Sequence, residues 1–195
     1  DAKVARPKLP LRPFDTLVDL LDEVAERFDH APALQIRHPD GFTTVTCEAL
    51  RARARAGATR LQAAGLRPGD RVLLAGPNHP DWVVAFFAIQ VAGGVAVPLD
   101  PGLTPGELRT ILAAAEPRLA VLSAHTESAF RGEIAAALPV YSSDALTAPG
   151  SATELTPNSL APEAPASILF TSGTTGTPKG VVLTHGNFTS LLASL

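Results

Sequence analysis

Arg71-Val72-Leu73-Leu74-Ala75, Pro80-Asp81-Trp82-Val83-Val84-Ala85-Phe86-Phe87-Ala88-Ile89-Gln90-Val91-Ala92 and Val95-Ala96-Val97-Pro98 follow one another closely, and they decide the fold. The outer two are short runs rich in Val and Leu, closed by Gly76-Pro77 and Pro98, and they read as strands. The middle run opens on proline and is too long for a strand, so it reads as a helix. A strand, a helix and a strand, all apolar, predict two parallel strands joined by a right-handed crossover. Trp82 to Leu99 also forms 18 residues without a charge, the lower limit for a membrane span. Gln90, Gly93-Gly94 and Pro98 break it into helix, turn and strand, and no span is expected.

The same alternation continues outward. Thr104–Ala115 is expected as a helix, Leu119–Leu122 as a strand, His125–Leu138 as a helix and Val140–Tyr141 as a strand. Upstream, Asp15 or Thr16 can cap a helix that carries Leu17, Leu20, Leu21, Val24 and Phe28. Ala33–Arg37 and Phe42–Thr46 read as strands around a turn at Pro39-Asp40-Gly41, and Cys47–Ala64 as a helix stopped by Gly65. The fold class is α/β, a parallel sheet with helices on both faces. Residues 1–13, with Pro7, Pro10 and Pro13, are expected as an extended arm. The folded domain is expected over 14–195. Within it, residues 142–165, with prolines 149, 157, 162 and 165, read as a long irregular connection. Ala166–Phe170 and Gly180–Thr184 read as strands, and a last helix starts near His185.

Composition narrows the function. The chain is 46% hydrophobic, enough for a sizeable core, and its net charge of -3 argues against a nucleic-acid binder. Arg51, Arg53 and Arg55 form the densest basic cluster, and their two-residue spacing on a helix predicts a solvated surface. Cys47 is the single cysteine, which excludes an internal disulfide and a cysteine metal cluster; a reducing, cytoplasmic setting is expected. An inert thiol is expected there, and Trp82, Phe86 and Phe87 are expected in the core. His30, His38, His79, His125 and His185 lack metal-ligand spacing. For His185, a capping or packing role and a place near the active site stand even. No methionine is present, and the apolar helix at the end stops abruptly; a processed chain or a piece of a longer one is expected.

Chemistry concentrates between residues 171 and 180. From Thr171 to Thr177, Thr171-Ser172-Gly173-Thr174-Thr175-Gly176-Thr177 holds five hydroxyls and two glycines, followed by Pro178-Lys179-Gly180. Glycines let backbone amides turn towards an anion, and hydroxyls add donors to phosphate oxygens. Lys179 is the one lysine beyond position 8 in a chain that otherwise uses arginine. Its ammonium is a mobile point charge suited to a leaving polyphosphate. The order differs from the Walker loop, which places Gly before Lys and runs into a helix. Here a loop between two strands is predicted.

Ser172-Gly173-Thr174-Thr175-Gly176-Thr177-Pro178-Lys179-Gly180 resembles the signature of the adenylate-forming (AMP-binding) superfamily, which comprises acyl-CoA synthetases, peptide-synthetase adenylation domains and luciferases. Val45-Thr46-Cys47-Glu48-Ala49-Leu50, Gly69-Asp70-Arg71-Val72, Ala92 to Asp100 and Thr184-His185-Gly186-Asn187 resemble further motifs of that family, with Cys47 standing where an aromatic is usual. Asn78-His79-Pro80-Asp81-Trp82 and Val97-Pro98-Leu99-Asp100-Pro101 are similar to fatty acyl-CoA and acyl-carrier-protein synthetases.

The resemblance implies activation of a carboxylate, such as a fatty acid, by ATP with Mg2+, and then thioester formation with CoA or an acyl carrier protein. It implies that Ser172, Thr174, Thr175, Thr177 and Lys179 hold the β- and γ-phosphates in a loop shaped by Gly173 and Gly176, with Thr171 a candidate magnesium ligand. Later family motifs for adenine, ribose, metal and the catalytic lysine have no counterpart here, so no catalytic residue is assigned and the chain alone is expected inactive. A long-chain fatty acyl-CoA synthetase, an amino-acid adenylation domain and a non-catalytic adenylation-like module stay open, as does the oligomeric state.

Overall fold

The computed structural model describes residues 14–100, 102–123, 126, 134–150, 155–171 and 178–193. The arm expected over 1–13 and most of the helix expected over 125–138 lie outside these residues. The chain begins with helix α1 (Leu17–Phe28). Thr16 caps it in a reciprocal box with Asp19, whose carboxylate accepts from the Thr16 backbone while Thr16 Oγ1 accepts from Asp19 N. Strands β1 (Pro32–His38) and β2 (Gly41–Thr46) form an antiparallel hairpin. Helix α2 (Cys47–Ala63) follows, capped by Thr46 and closed by Gly65 at φ +86°, a conformation that glycine adopts at little cost and other residues rarely adopt.

The alternation expected from the sequence then appears. Strand β3 (Arg71–Ala75), helix α3 (Pro80–Val91), strand β4 (Val95–Pro98), helix α4 (Pro105–Ala115) and strand β5 (Leu119–Leu122) run in order. After them come strand β6 (Val140–Ser142), helix α5 (Ser143–Thr147), strands β7 (Pro165–Thr171) and β8 (Lys179–Thr184), and helix α6 (His185–Ala193). The six-stranded sheet has the order β6-β5-β3-β4-β7-β8. Its pairs are parallel except the last: β7 and β8 are antiparallel, so the sheet is mostly parallel.

Alternate strand residues separate two cores. Val72 and Leu74 of β3, Ala96 of β4 and Leu119 and Val121 of β5 face α2 and α3. Leu73, Ala75, Val97, Ala120 and Leu122 face α4 on the other side. A strand covered on both faces must be apolar at every position, which is why β3 and β5 read as continuous hydrophobic runs. The path goes from β3 to its neighbour β4, then back past β3 to β5, so the connecting helices take opposite faces. No helix among the described residues is long and apolar enough to cross a membrane.

Two sequence expectations need correction. Residues 142–165 are not irregular throughout: α5 packs Leu146 and Thr147 into the interior. Arginines of α2 hold it there. Arg60 Nη1 donates to Leu146 O (2.7 Å) and Ala148 O (2.8 Å), and Arg53 Nε donates to Thr147 O (2.8 Å). The arginine cluster is therefore not simply solvated. Arg53 also pairs with Asp81 at the start of α3, and Arg55 with Asp22 of α1 at 2.7 Å. Long guanidinium side chains reach across helix junctions and satisfy carbonyls that a turn leaves without partners.

Candidate functional site

The β7–β8 hairpin carries the stretch that the sequence singles out. Its ladder pairs Thr171, the last residue of β7, with Lys179, the first of β8, and both are exposed. The strand ladder thus brings together the two outer candidates. Ser172, Gly173, Thr174, Thr175, Gly176 and Thr177 lie outside the described residues. Lys179 opens a strand rather than a helix, as the departure from the Walker order predicts. Because β7 runs parallel to β4, the hairpin tip shares the carboxyl edge of the sheet with the ends of β3, β4 and β5. That edge is where open α/β sheets bind their ligands.

The hairpin joins the domain along β4, and His185 N donates to Ala164 O at its base. Strand β7 meets β4 at one bridge, Ala96 with Ser167. Buried polar side chains add to it: Ser167 Oγ donates to Ala96 O (3.0 Å), and Gln90 Nε2 donates to Ala166 O (3.1 Å). At the far end of β8, His185 is buried and its Nδ1 accepts from Leu17 N at 3.2 Å. Burial lowers the pKa of this imidazole, and the Asp19 carboxylate partly offsets that. Thr184 and Asn187 cap α6 reciprocally, and Gly186 N donates to Pro162 O at 2.7 Å. Each residue of Thr184-His185-Gly186-Asn187 therefore has a local structural task. Sequence reading missed Gln90 and Ser167 as anchors. The signal was present, because each is a polar residue inside an apolar element.

A crevice of about 310 Å³ opens along the same edge, between Gly76-Pro77 after β3 and Ser123 after β5. Trp82, His79, Asp81 and Asp144 also line it, and among the described residues no lysine or arginine does. Asp81 is already paired with Arg53, and the crevice offers polyphosphate no lysine or arginine of its own, whereas the hairpin offers Lys179, so phosphate chemistry points to the hairpin. Trp82 stacks on Phe86 with ring centroids 5.8 Å apart; these aromatics are half-buried and pack against the core rather than lying within it. Cys47 is buried and desolvation pushes its thiol pKa up, which suits an inert residue. Asp29, His30 and Glu48 bring ligand atoms within 4.8 Å of one another, all exposed, on elements distant in sequence from the hairpin.

Comparison with known proteins decides the family. The family model described as AMP-binding enzyme matches residues 21–195. The chain belongs to the AMP-binding enzyme family. Among curated relatives of this family member, a feruloyl-CoA synthase from Amycolatopsis sp is 38% identical over 166 residues, covering 82% of this chain and 31% of that protein. A fatty acid–[acyl-carrier-protein] ligase from Streptomyces coeruleorubidus is 34% identical over 162 residues, covering 79% of this chain and 30% of that ligase. The fatty acyl-adenylate ligase from L. pneumophila, solved with acyl adenylate and pyrophosphate, superposes with a TM-score of 0.80 at 27% identity. That match covers 92% of this chain and 32% of the solved one. The chain thus spans about a third of the length of these relatives. The fold is that of a partial, N-terminal portion of an adenylate-forming enzyme.

Proposed function

We propose that the chain is the phosphate-binding N-terminal part of an ATP-dependent ligase that activates a fatty acid and transfers it to CoA or a carrier protein. The observation that carries the reading is the β7–β8 hairpin, which sets Thr171 opposite Lys179 around the signature loop. In the first half-reaction a carboxylate oxygen attacks the α-phosphorus of ATP. The bond from that phosphorus to the bridging oxygen breaks, and pyrophosphate leaves with the electron pair. In the second, a thiol loses its proton, its sulfur attacks the acyl carbon, and AMP departs.

Lys179 and the hydroxyls of Ser172, Thr174, Thr175 and Thr177 would hold the β- and γ-phosphates, where charge accumulates as pyrophosphate separates. Thr171 ends a strand and is exposed, and its hydroxyl is a hard oxygen donor of the kind magnesium accepts beside phosphate oxygens. Magnesium held there would neutralise phosphate charge. The single, buried, free cysteine suits a reducing cytoplasm, where ATP and CoA are available. The similarity to a solved fatty acyl-adenylate ligase supports an aliphatic acid; the similarity to a feruloyl-CoA synthase supports an aryl one.

The experiment is pyrophosphate exchange into ATP by the complete polypeptide, with long-chain fatty acids, aryl acids and amino acids offered in turn. The fatty acids are expected to give the highest kcat/KM. Preference for an aryl or amino acid would reassign the substrate within the family. Exchange with none of them would favour a non-catalytic adenylation-like module.

A further inference from the structure

The hairpin that holds Thr171 and Lys179 is an arm fixed at its base. From Ala166 to Thr171 the strand extends about 17 Å at about 3.3 Å per residue. A base rotation of about 3–4° would therefore move the tip by about 1 Å, and displacements of that size cost about a hundredfold in rate when reacting groups must be aligned. Near the base, β7 lies beside β4 with a main-chain bridge at Ala96 and Ser167, and His185 N donates to Ala164 O. Farther out, Ile168 and Phe170 lean on the α4 side of the sheet, while Leu169, Val181 and Val182 are exposed. Apolar contacts are non-directional and tolerate sliding, so they do not set the tilt of such an arm.

Three buried polar side chains stand where the tilt is set: Gln90 on Ala166 O, Ser167 on Ala96 O, and His185 on Leu17 N. Gln90 is fully buried, and its Oε1 has no hydrogen-bond partner among the described residues. The hydrogen bond to Ala166 O is thus made by a side chain that keeps one buried oxygen unpaired. A residue that costs stability yet fixes one carbonyl of β7 is explained by geometry rather than by stability. His185 pins the other strand to the N-terminus of α1, so the arm is tied to two helices and to the sheet. We propose that Gln90, Ser167 and His185 are positioning residues for Thr171 and Lys179, acting through the base of the β7–β8 hairpin. The inference rests on the ligase reading for its effect on catalysis, while the clamp itself is testable without it.

The test compares Gln90→Leu, His185→Phe and His185→Asn with wild type in the complete polypeptide. Three properties are read: thermal stability, amide hydrogen exchange of the hairpin, and single-turnover rates of the two half-reactions. Gln90→Leu exchanges one unpaired oxygen, its own, for another, that of Ala166. Its melting temperature is expected to change little, while hairpin amides exchange at least tenfold faster. Adenylate formation should slow at least tenfold with the KM for the carboxylate unchanged, and thioester formation from supplied acyl-adenylate should stay within twofold. His185→Asn keeps an acceptor at the place of Nδ1 and should behave like wild type, whereas His185→Phe should resemble Gln90→Leu.

Unchanged hairpin exchange in Gln90→Leu and His185→Phe would overturn the inference. So would equal loss in both half-reactions in step with a falling melting temperature. If wild type forms no adenylate but the hairpin loosens as described, the clamp stands and the ligase reading fails.

Discussion

The imidazole of His185 accepts a hydrogen bond from the backbone N–H of Leu17, joining residues 168 apart in sequence at 3.2 Å. The contact ties the helix after the hairpin to the first described helix, and it requires a lone pair on Nδ1. The single proton of the neutral ring therefore sits on Nε2. Protonation of Nδ1 would remove the acceptor. Asp19 of α1 is the charged group whose field acts on this ring. Helix α6 itself contributes no other ionisable group.

A pH dependence of stability follows. In the unfolded chain the ring titrates near 6.5, and burial lowers its pKa in the folded protein. Between those values the unfolded state binds a proton that the folded state does not. The contribution of His185 is thus fully present above about pH 6.5 and is lost as pH falls through the folded pKa. Melting temperatures from pH 8 to pH 5 should fall more steeply for wild type than for His185→Asn. Parallel curves would show that another group governs the acid limb.

Arg53 should matter more than its neighbour Arg51. It donates to Thr147 O and pairs with Asp81, linking α2, α3 and α5, and both partners of the ion pair are about four-fifths buried. Removing it leaves a carbonyl and a carboxylate without their donor. Arg53→Ala should cost about 1.5–3 kcal/mol in urea unfolding, and Arg51→Ala about 0.5 kcal/mol or less. Equal costs would return the cluster to the solvated surface that its spacing suggests.

Gly57 is a packing glycine. A Cβ there would lie 2.8 Å from Ala88 Cβ and 3.2 Å from Leu146 O, where α2 crosses α3. Alanine is the better helix former by about 1 kcal/mol, yet the overlap should prevail. Gly57→Ala should destabilise by about 1–3 kcal/mol, measured by thermal unfolding. A gain in stability would mean that α2 and α3 separate readily.

The central sheet was legible because its strands carry their own boundaries. Arg71–Ala75, Val95–Pro98 and Leu119–Leu122 occur in the structure with the bounds expected from the sequence. The caps at Thr16, Thr46 and Thr104 mark helix starts through local hydrogen bonds, which sequence records directly. Helix α5 was not legible: its five residues are too few for a period, and it is held by Arg53 and Arg60, which lie 86 to 94 residues earlier. The contacts of Gln90 and His185 are equally non-local. For the candidate site, sequence supplied the residue types at 171–180, and the fold added the pairing of Thr171 with Lys179 and the anchors at the hairpin base.

The most direct test of the account is the single-turnover rate of each half-reaction in Lys179→Ala, made in the complete polypeptide. In the proposed function, Lys179 neutralises the β- and γ-phosphates while pyrophosphate leaves and would have no task once the acyl-adenylate exists. Losing one charge-assisted contact of about 1.5–3 kcal/mol should slow adenylate formation by about ten- to a hundredfold. Lys179→Arg should restore part of that rate, since a planar fork does not reproduce a mobile point charge. Thioester formation from supplied acyl-adenylate should remain within twofold of wild type. Equal slowing of both half-reactions would contradict the phosphate-specific role of the hairpin.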